Sequence, residues 1–176
     1  FYVLATLRLA RAYAPPFGSA KDAVNMAGMV ASNVLDGTLT IWDASEFDGL
    51  ADSALLLDVR SQAEFATGAL PGAVNIPHTE LRGRLDEVRD AAAGRPVRVL
   101  CQSGVRSAIA HRVLTQEGFD SASLSGGMLT MRAVLGDRAT DILLTNNKEE
   151  PWQPRTRTPS VASSTASSVP VGSSTR

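Results

Sequence analysis

The 176-residue chain carries 17 basic and 18 acidic side chains, a formal net charge of −1, and a single cysteine among 44% hydrophobic residues. That balance gives no global attraction to nucleic acid or anionic lipid, and no apolar run approaches the ~20 residues of a membrane helix, the opening "FYVLATLRLARAYAPP" being broken by Arg8 and Arg11. A lone cysteine excludes an intrachain disulfide and leaves a cysteine-only zinc site without ligands, so a soluble, cytoplasmic chain with no metal, nucleic-acid or membrane partner is expected.

The chain opens on Phe1, and an apolar helical stripe begins with no start signal, which predicts that something longer preceded it. "YAPPFGSAKD" (13–22) reads as turn-forming. Beyond it Val24, Ala27, Met29, Val30, Val34 and Leu35 recur near a 3.6-residue period and Gly37 supplies a stop, predicting one helix over 23–37. Residues 1–38 bury too little surface to be a domain and read as the end of a larger one.

From 39 to 140 short apolar runs alternate with helical patterns. "ALLLDV" (54–59) and "VRVLC" (97–101) have the continuous apolar character of buried parallel strands. "SQAEFATG" (61–68), "ELRGRLDEVRDAAAG" (80–94) and "RSAIAHRVLTQEGF" (106–119) predict helices, the last two ended by Gly94 and Gly118. "GAVNIP" (72–77) and "SASLSGG" (121–127) are short strand candidates. Strand alternating with helix predicts an α/β domain around a central, mostly parallel sheet. From Asn146 the composition turns to Ser, Thr and Pro, which predicts a disordered tail over 146–176 with no assigned function.

Cys101 falls where an apolar strand ends and a helix is about to begin, the place where ligands gather in open α/β sheets. A single cysteine is more often a small buried hydrophobe than a nucleophile, so its surroundings must decide. Gln102, Ser103, Gly104 and Val105 can curl so that successive N–H groups point inward, and these, the following helix N-terminus and Arg106 would all favour a thiolate and bind an anion. Such a cradle serves either sulfur transfer through a persulfide or phosphate-ester hydrolysis through a phosphocysteine. Cysteine phosphatases have five residues between Cys and Arg; here four intervene, which favours sulfur.

"LLDVRSQAEFATGALPGAVNIP" (56–77), followed by "VLCQSGVRSAIAHRVLTQEGF" and "LSGGM", resembles a single rhodanese domain. The resemblance implies a rhodanese-like α/β fold over 39–140, with helices on both faces of the sheet. It also implies a mechanism in which Cys101 takes sulfane sulfur from a small anionic donor, thiosulfate or a persulfide, and passes it to a thiol or cyanide. Gln102, Ser103, Gly104, Val105 and Arg106 are implied as the loop that holds the persulfide. Residues 12–37 are similar to the end of the dimerisation domain in flavin-dependent oxidoreductases of the coenzyme A-disulfide reductase type, some of which carry a C-terminal rhodanese domain. That implies a fusion parent that can form a homodimer through its flavoprotein domain. FAD and NAD(P)H are expected only in the parent, because no Gly-x-Gly-x-x-Gly fingerprint is present here.

Asp58, Arg60 and Glu64 read as a structural ion-pair set, Gly68, Gly72, Gly126 and Gly127 as turns, His78 and His111 as surface or packing histidines, and Arg82, Arg84 and Arg89 as a solvated helix face. Two other readings stand beside the sulfurtransferase: a non-catalytic interaction module, against which retention of Cys101 weighs, and the auxiliary part of a disulfide or persulfide reductase.

Overall fold

The computed structural model describes residues 23–50 and 53–145; the predicted turn over 13–22 and the predicted tail over 146–176 lie outside them. The elements run α1 (Ala23–Leu35), β1 (Ile41–Trp42), a 3₁₀ helix (Ala44–Gly49), β2 (Leu55–Asp58), α2 (Gln62–Ala66), β3 (Val74–Asn75), a 3₁₀ turn (Leu81–Gly83), α3 (Leu85–Ala92), β4 (Val97–Leu100), α4 (Val105–Gln116), β5 (Ser121–Leu124), α5 (Gly127–Leu135) and α6 (Arg138–Thr145).

The strands form one sheet in the order β1-β5-β4-β2-β3, and every pairing is parallel. Side chains alternate across it, so consecutive residues of one strand serve two cores. Leu55, Leu57, Val97, Val99 and Cys101 face one side and meet Val88 and Ala92 of α3 and Ala110, Val113 and Leu114 of α4. Leu56, Leu100 and Leu124 face the other and meet Phe47, Met128, Met131, Leu135 and Leu143, contributed by the first 3₁₀ helix, α5 and α6. β2 and β5 are buried at all four positions, which explains why β2 reads as an unbroken apolar run.

Two predicted elements change shape. The helix expected over 80–94 is divided: a 3₁₀ turn ends at Gly83, and α3 starts beyond Arg84, whose non-helical backbone (φ −125°, ψ 25°) sets the break while its guanidinium joins Glu80 and Glu87. The residue that ends α3 in a left-handed conformation is Ala93 (φ 50°), with Gly94 next to it rather than alone. The strand expected over 121–127 stops at Leu124, because Gly126 (φ 69°) and Gly127 (φ 63°) turn the chain into α5. Arg89 is not merely solvated: its guanidinium lies 4.8 Å from the Phe119 ring centre.

β1, α5 and α6 have no counterpart among the elements expected from sequence. β1 is two residues long, too short for any period to register, and it is fixed from outside: Trp42 is buried and its indole N–H donates to the Val99 carbonyl at 3.3 Å. The Thr40 N–H donates to His111 Nε2 at 3.1 Å, and His111 Nδ1 lies 3.2 Å from the Ser121 hydroxyl. Burial holds the His111 imidazole below its usual range, with the nearby Arg112 charge adding to the effect, so it packs as the neutral ring.

Candidate active site

The loop between β4 and α4 surrounds the sulfur of Cys101, a fully buried residue. Gly104 takes φ 99°, a conformation that favours glycine, and this turns its N–H back onto Sγ at 3.1 Å. Ser107, in the first turn of α4, places its hydroxyl 3.4 Å from Sγ. In the thiol form the S–H donates to this hydroxyl, which donates its own proton to the Gly104 carbonyl at 3.0 Å and accepts from the Ser123 hydroxyl of β5 at 2.9 Å; on ionisation the Ser107 proton turns to Sγ. Burial pushes the Cys101 thiol up, yet the Ser107 hydroxyl and the backbone N–H groups of Ser107, Ser103 and Gly104 outweigh it and hold the thiol below its ordinary range.

The loop does not hold this curl alone. The Met128 N–H donates to the Cys101 carbonyl at 2.8 Å and the Leu129 N–H to the Gln102 carbonyl at 3.1 Å. These two carbonyls face outward onto the start of α5, which leaves the N–H groups facing the sulfur. Gly127 makes the approach possible, since a Cβ there would stand 2.5 Å from the Cys101 carbonyl oxygen and 2.7 Å from Ser103 N.

Of the loop residues singled out in the sequence, Ser103 and Gly104 turn their backbone N–H groups to the sulfur, while the Gln102 carbonyl accepts from Leu129. Val105 points outward and is 67% exposed. Arg106 is placed differently from the expectation that its guanidinium would hold an anion. Its two terminal nitrogens donate to the two carboxylate oxygens of Glu64, at 2.7 and 2.6 Å. Glu64 in turn accepts from the Ser61 N–H and hydroxyl at the N-terminus of α2, a capping box that fixes the carboxylate where Arg106 finds it. The Arg106 guanidinium, against the cost of burial and helped by those Ser61 bonds, holds the Glu64 carboxyl down at about 2.

Glu64 therefore leaves the set in which the sequence places it. Asp58 and Arg60 do pair beneath the sheet end, fully buried, with Arg60 Nη2 2.7 Å from Asp58 and 2.9 Å from the Gly68 carbonyl. Glu64 belongs to the loop instead, forty-two positions from Arg106 in sequence. Ser107 is a site residue that the sequence reading misses, although it follows Arg106 directly and sits one helical turn from the loop.

Beside the loop a cleft of about 470 Å³ opens between α1 and α4, walled by Met26 and Val30 from α1, Val105 and Ile109 from α4, and Ser103 and Gly104 at its inner end, with Arg112 also lining it. Met26, Val30 and Asn33 are the α1 residues that line this cleft.

The site is thus a thiol at the carboxyl end of a central strand of an open parallel sheet, faced by backbone N–H groups at a helix start. The Rhodanese-like domain family matches residues 43–132, and the chain belongs to that family. A sulfurtransferase of Allochromatium vinosum is 36% identical over 83 residues, covering 46% of this chain and 75% of the relative. Two solved structures are each 36% identical: reduced Bacillus anthracis CoADR-RHD (TM-score 0.68, 77% of this chain) and a NAD-dependent persulfide reductase from A. fulgidus (TM-score 0.59, 72% of this chain). The chain spans only 24% and 22% of those two structures, and 18% and 64% of two further curated relatives.

Proposed function

We propose that the chain is a sulfurtransferase working through a persulfide on Cys101. The observation that carries this reading is the Sγ environment: a thiol held below its ordinary range by Ser107 and by inward N–H groups that are equally suited to an anionic terminal sulfur. The Cys101 thiolate attacks the sulfane sulfur of the donor. The Sγ–S bond forms as the donor's S–S bond breaks, and sulfite leaves with the bonding pair when the donor is thiosulfate. An acceptor thiolate or cyanide then attacks the outer sulfur, and Cys101 departs as the thiolate it was at the start. Throughout, Gly104 N–H and its neighbours hold the negative charge wherever it resides, on Sγ or on the outer sulfur.

Transfer from thiosulfate to cyanide, with mass spectrometry of the donor-treated protein, tests the reading. Cys101→Ser should abolish transfer and the adduct of about 32 Da while leaving the fold intact, since serine keeps the size and lacks the polarizable nucleophile. Retention of more than a few per cent of activity would refute the role given to Cys101.

A second reading is favoured by the two reductase structures, which match more of the chain than residues 43–132 alone. In it the chain is the C-terminal part of an FAD- and NAD(P)H-dependent disulfide or persulfide reductase, with Cys101 exchanging sulfur with the flavoprotein part. The coding sequence upstream of Phe1 decides it.

A further inference from the structure

Arg106 lies in the first turn of the helix that follows the Cys101 loop, next to Ser107, whose hydroxyl is 3.4 Å from the sulfur. A free guanidinium there would reward every added negative charge on a donor. Here both of its terminal nitrogens are occupied by one carboxylate, itself anchored by the Ser61 capping box. The pair brings no net charge to the loop mouth, and the guanidinium's planar fork is already filled. What remains for an anion is the ring of backbone N–H groups, which suits a single charge. We propose that Glu64 sets the charge of the ligand the Cys101 loop accepts: by occupying Arg106 it makes the loop prefer a singly charged sulfur donor over a doubly charged one. This rests on the sulfurtransferase reading for its donors, although the charge selection itself belongs to the loop. Glu64 is then a specificity residue that acts through Arg106 and touches no reacting atom.

The transfer step balances for either class of donor. Thiosulfate, a dianion, gives the Cys101 persulfide and sulfite; methanethiosulfonate, a monoanion with the same terminal sulfur, gives the same persulfide and methanesulfinate. The two differ by one charge at the far end and so isolate it.

The test compares kcat/KM for these donors, with cyanide as acceptor, in the wild type, Glu64→Gln, and Glu64→Gln with Arg106→Gln. Glutamine retains the capping box, which Glu and Gln both complete, so α2 keeps its start. In Glu64→Gln the preference should move toward thiosulfate by roughly tenfold, mainly through KM. That is the lower part of the range for a charge-assisted contact, because Arg106 and Glu64 are 28% and 35% exposed and water screens the pair. In the double variant the shift should vanish. A readout independent of sulfur transfer is Cys101 alkylation: the ratio of iodoacetate (anionic) to iodoacetamide (neutral) rates should rise in Glu64→Gln and fall back in the double variant. A donor preference within twofold of wild type in Glu64→Gln, or a shift that survives the loss of Arg106, would overturn the proposal. If the wild type used neither donor, the sulfurtransferase reading would fall, and the alkylation ratio alone would decide the charge selection.

Discussion

Replacing Gly127 by alanine tests whether the start of α5 shapes the Cys101 loop. Two costs add. Gly127 sits at φ 63°, where a residue with a Cβ is disfavoured by ~1–2 kcal/mol. The new methyl would also lie 2.5 Å from the Cys101 carbonyl oxygen and 2.7 Å from Gln102 C, backbone atoms that move only if the loop moves; overpacking of this kind costs ~1–3 kcal/mol. The sum of ~2–5 kcal/mol is a large share of a typical domain's ~5–15 kcal/mol and should lower Tm on the order of 10 to 30 °C. Gly72 is the control: it has φ 70° and nothing within 4 Å of the place a methyl group would take, so Gly72→Ala carries the backbone strain without the clash. Thermal unfolding of both variants by circular dichroism, with iodoacetamide rate against pH, reads stability and loop shape together. Gly127→Ala should melt well below Gly72→Ala and lose the lowered thiol pKa, because the bonds from Met128 and Leu129 to the loop carbonyls stretch. If the two variants melted within about 3 °C of each other and kept the same alkylation profile, the loop would hold its curl without α5.

Ser107→Ala should raise the Cys101 pKa: the thiolate is the reactive form, so the alkylation rate, which levels off above the pKa, should level off at higher pH than in the wild type. A hydrogen bond to a charged group is worth roughly 1.5–3 kcal/mol, or about one to two pH units, and an unmoved profile would assign the lowered pKa to backbone groups alone. Deleting residues 1–38 should remove exposed Met26, Met29, Val30 and Leu35 and reduce self-association in light scattering while leaving thiosulfate:cyanide transfer intact. Loss of folding on that deletion would show that α1 supports the sheet.

The strands and the position of the thiol are legible in the sequence because both depend on near neighbours: buried parallel strands are continuous apolar runs, and a strand-to-helix turn is local. Residues 55–58 and 97–100 match the expected strands within a residue or two for that reason. The start of α5 is also within reach, since Met128, Met131 and Leu135 recur at helical spacing and all are buried. The Glu64–Arg106 pair is not. Its partners come from different crossovers, and the S-x-x-E pattern at 61–64 announces a helix start without saying what else its carboxylate will meet. A view of one loop in isolation accordingly aims Arg106 at the anion. Gly127 presents the same difficulty: glycine signals a turn, but that the turn presses on a loop more than twenty residues earlier is a property of strand order.

The two-residue strand β1 bears on where this protein can be cut. The family match begins at residue 43, one position after Trp42. A chain started there would lose an indole that fills the second core and donates to Val99, and with it the Thr40 N–H that His111 accepts. β5 would become the outer strand, its backbone, now paired to Ile41 and Trp42 in register with Ser123 and Leu124, open to a second copy. Ser123, whose hydroxyl supports Ser107 and through it the sulfur, would sit on that open margin. An excised domain that aggregates or reacts sluggishly would then be showing the wrong starting residue rather than a defect in its chemistry, and a boundary drawn at Leu39 is the one that keeps the margin closed.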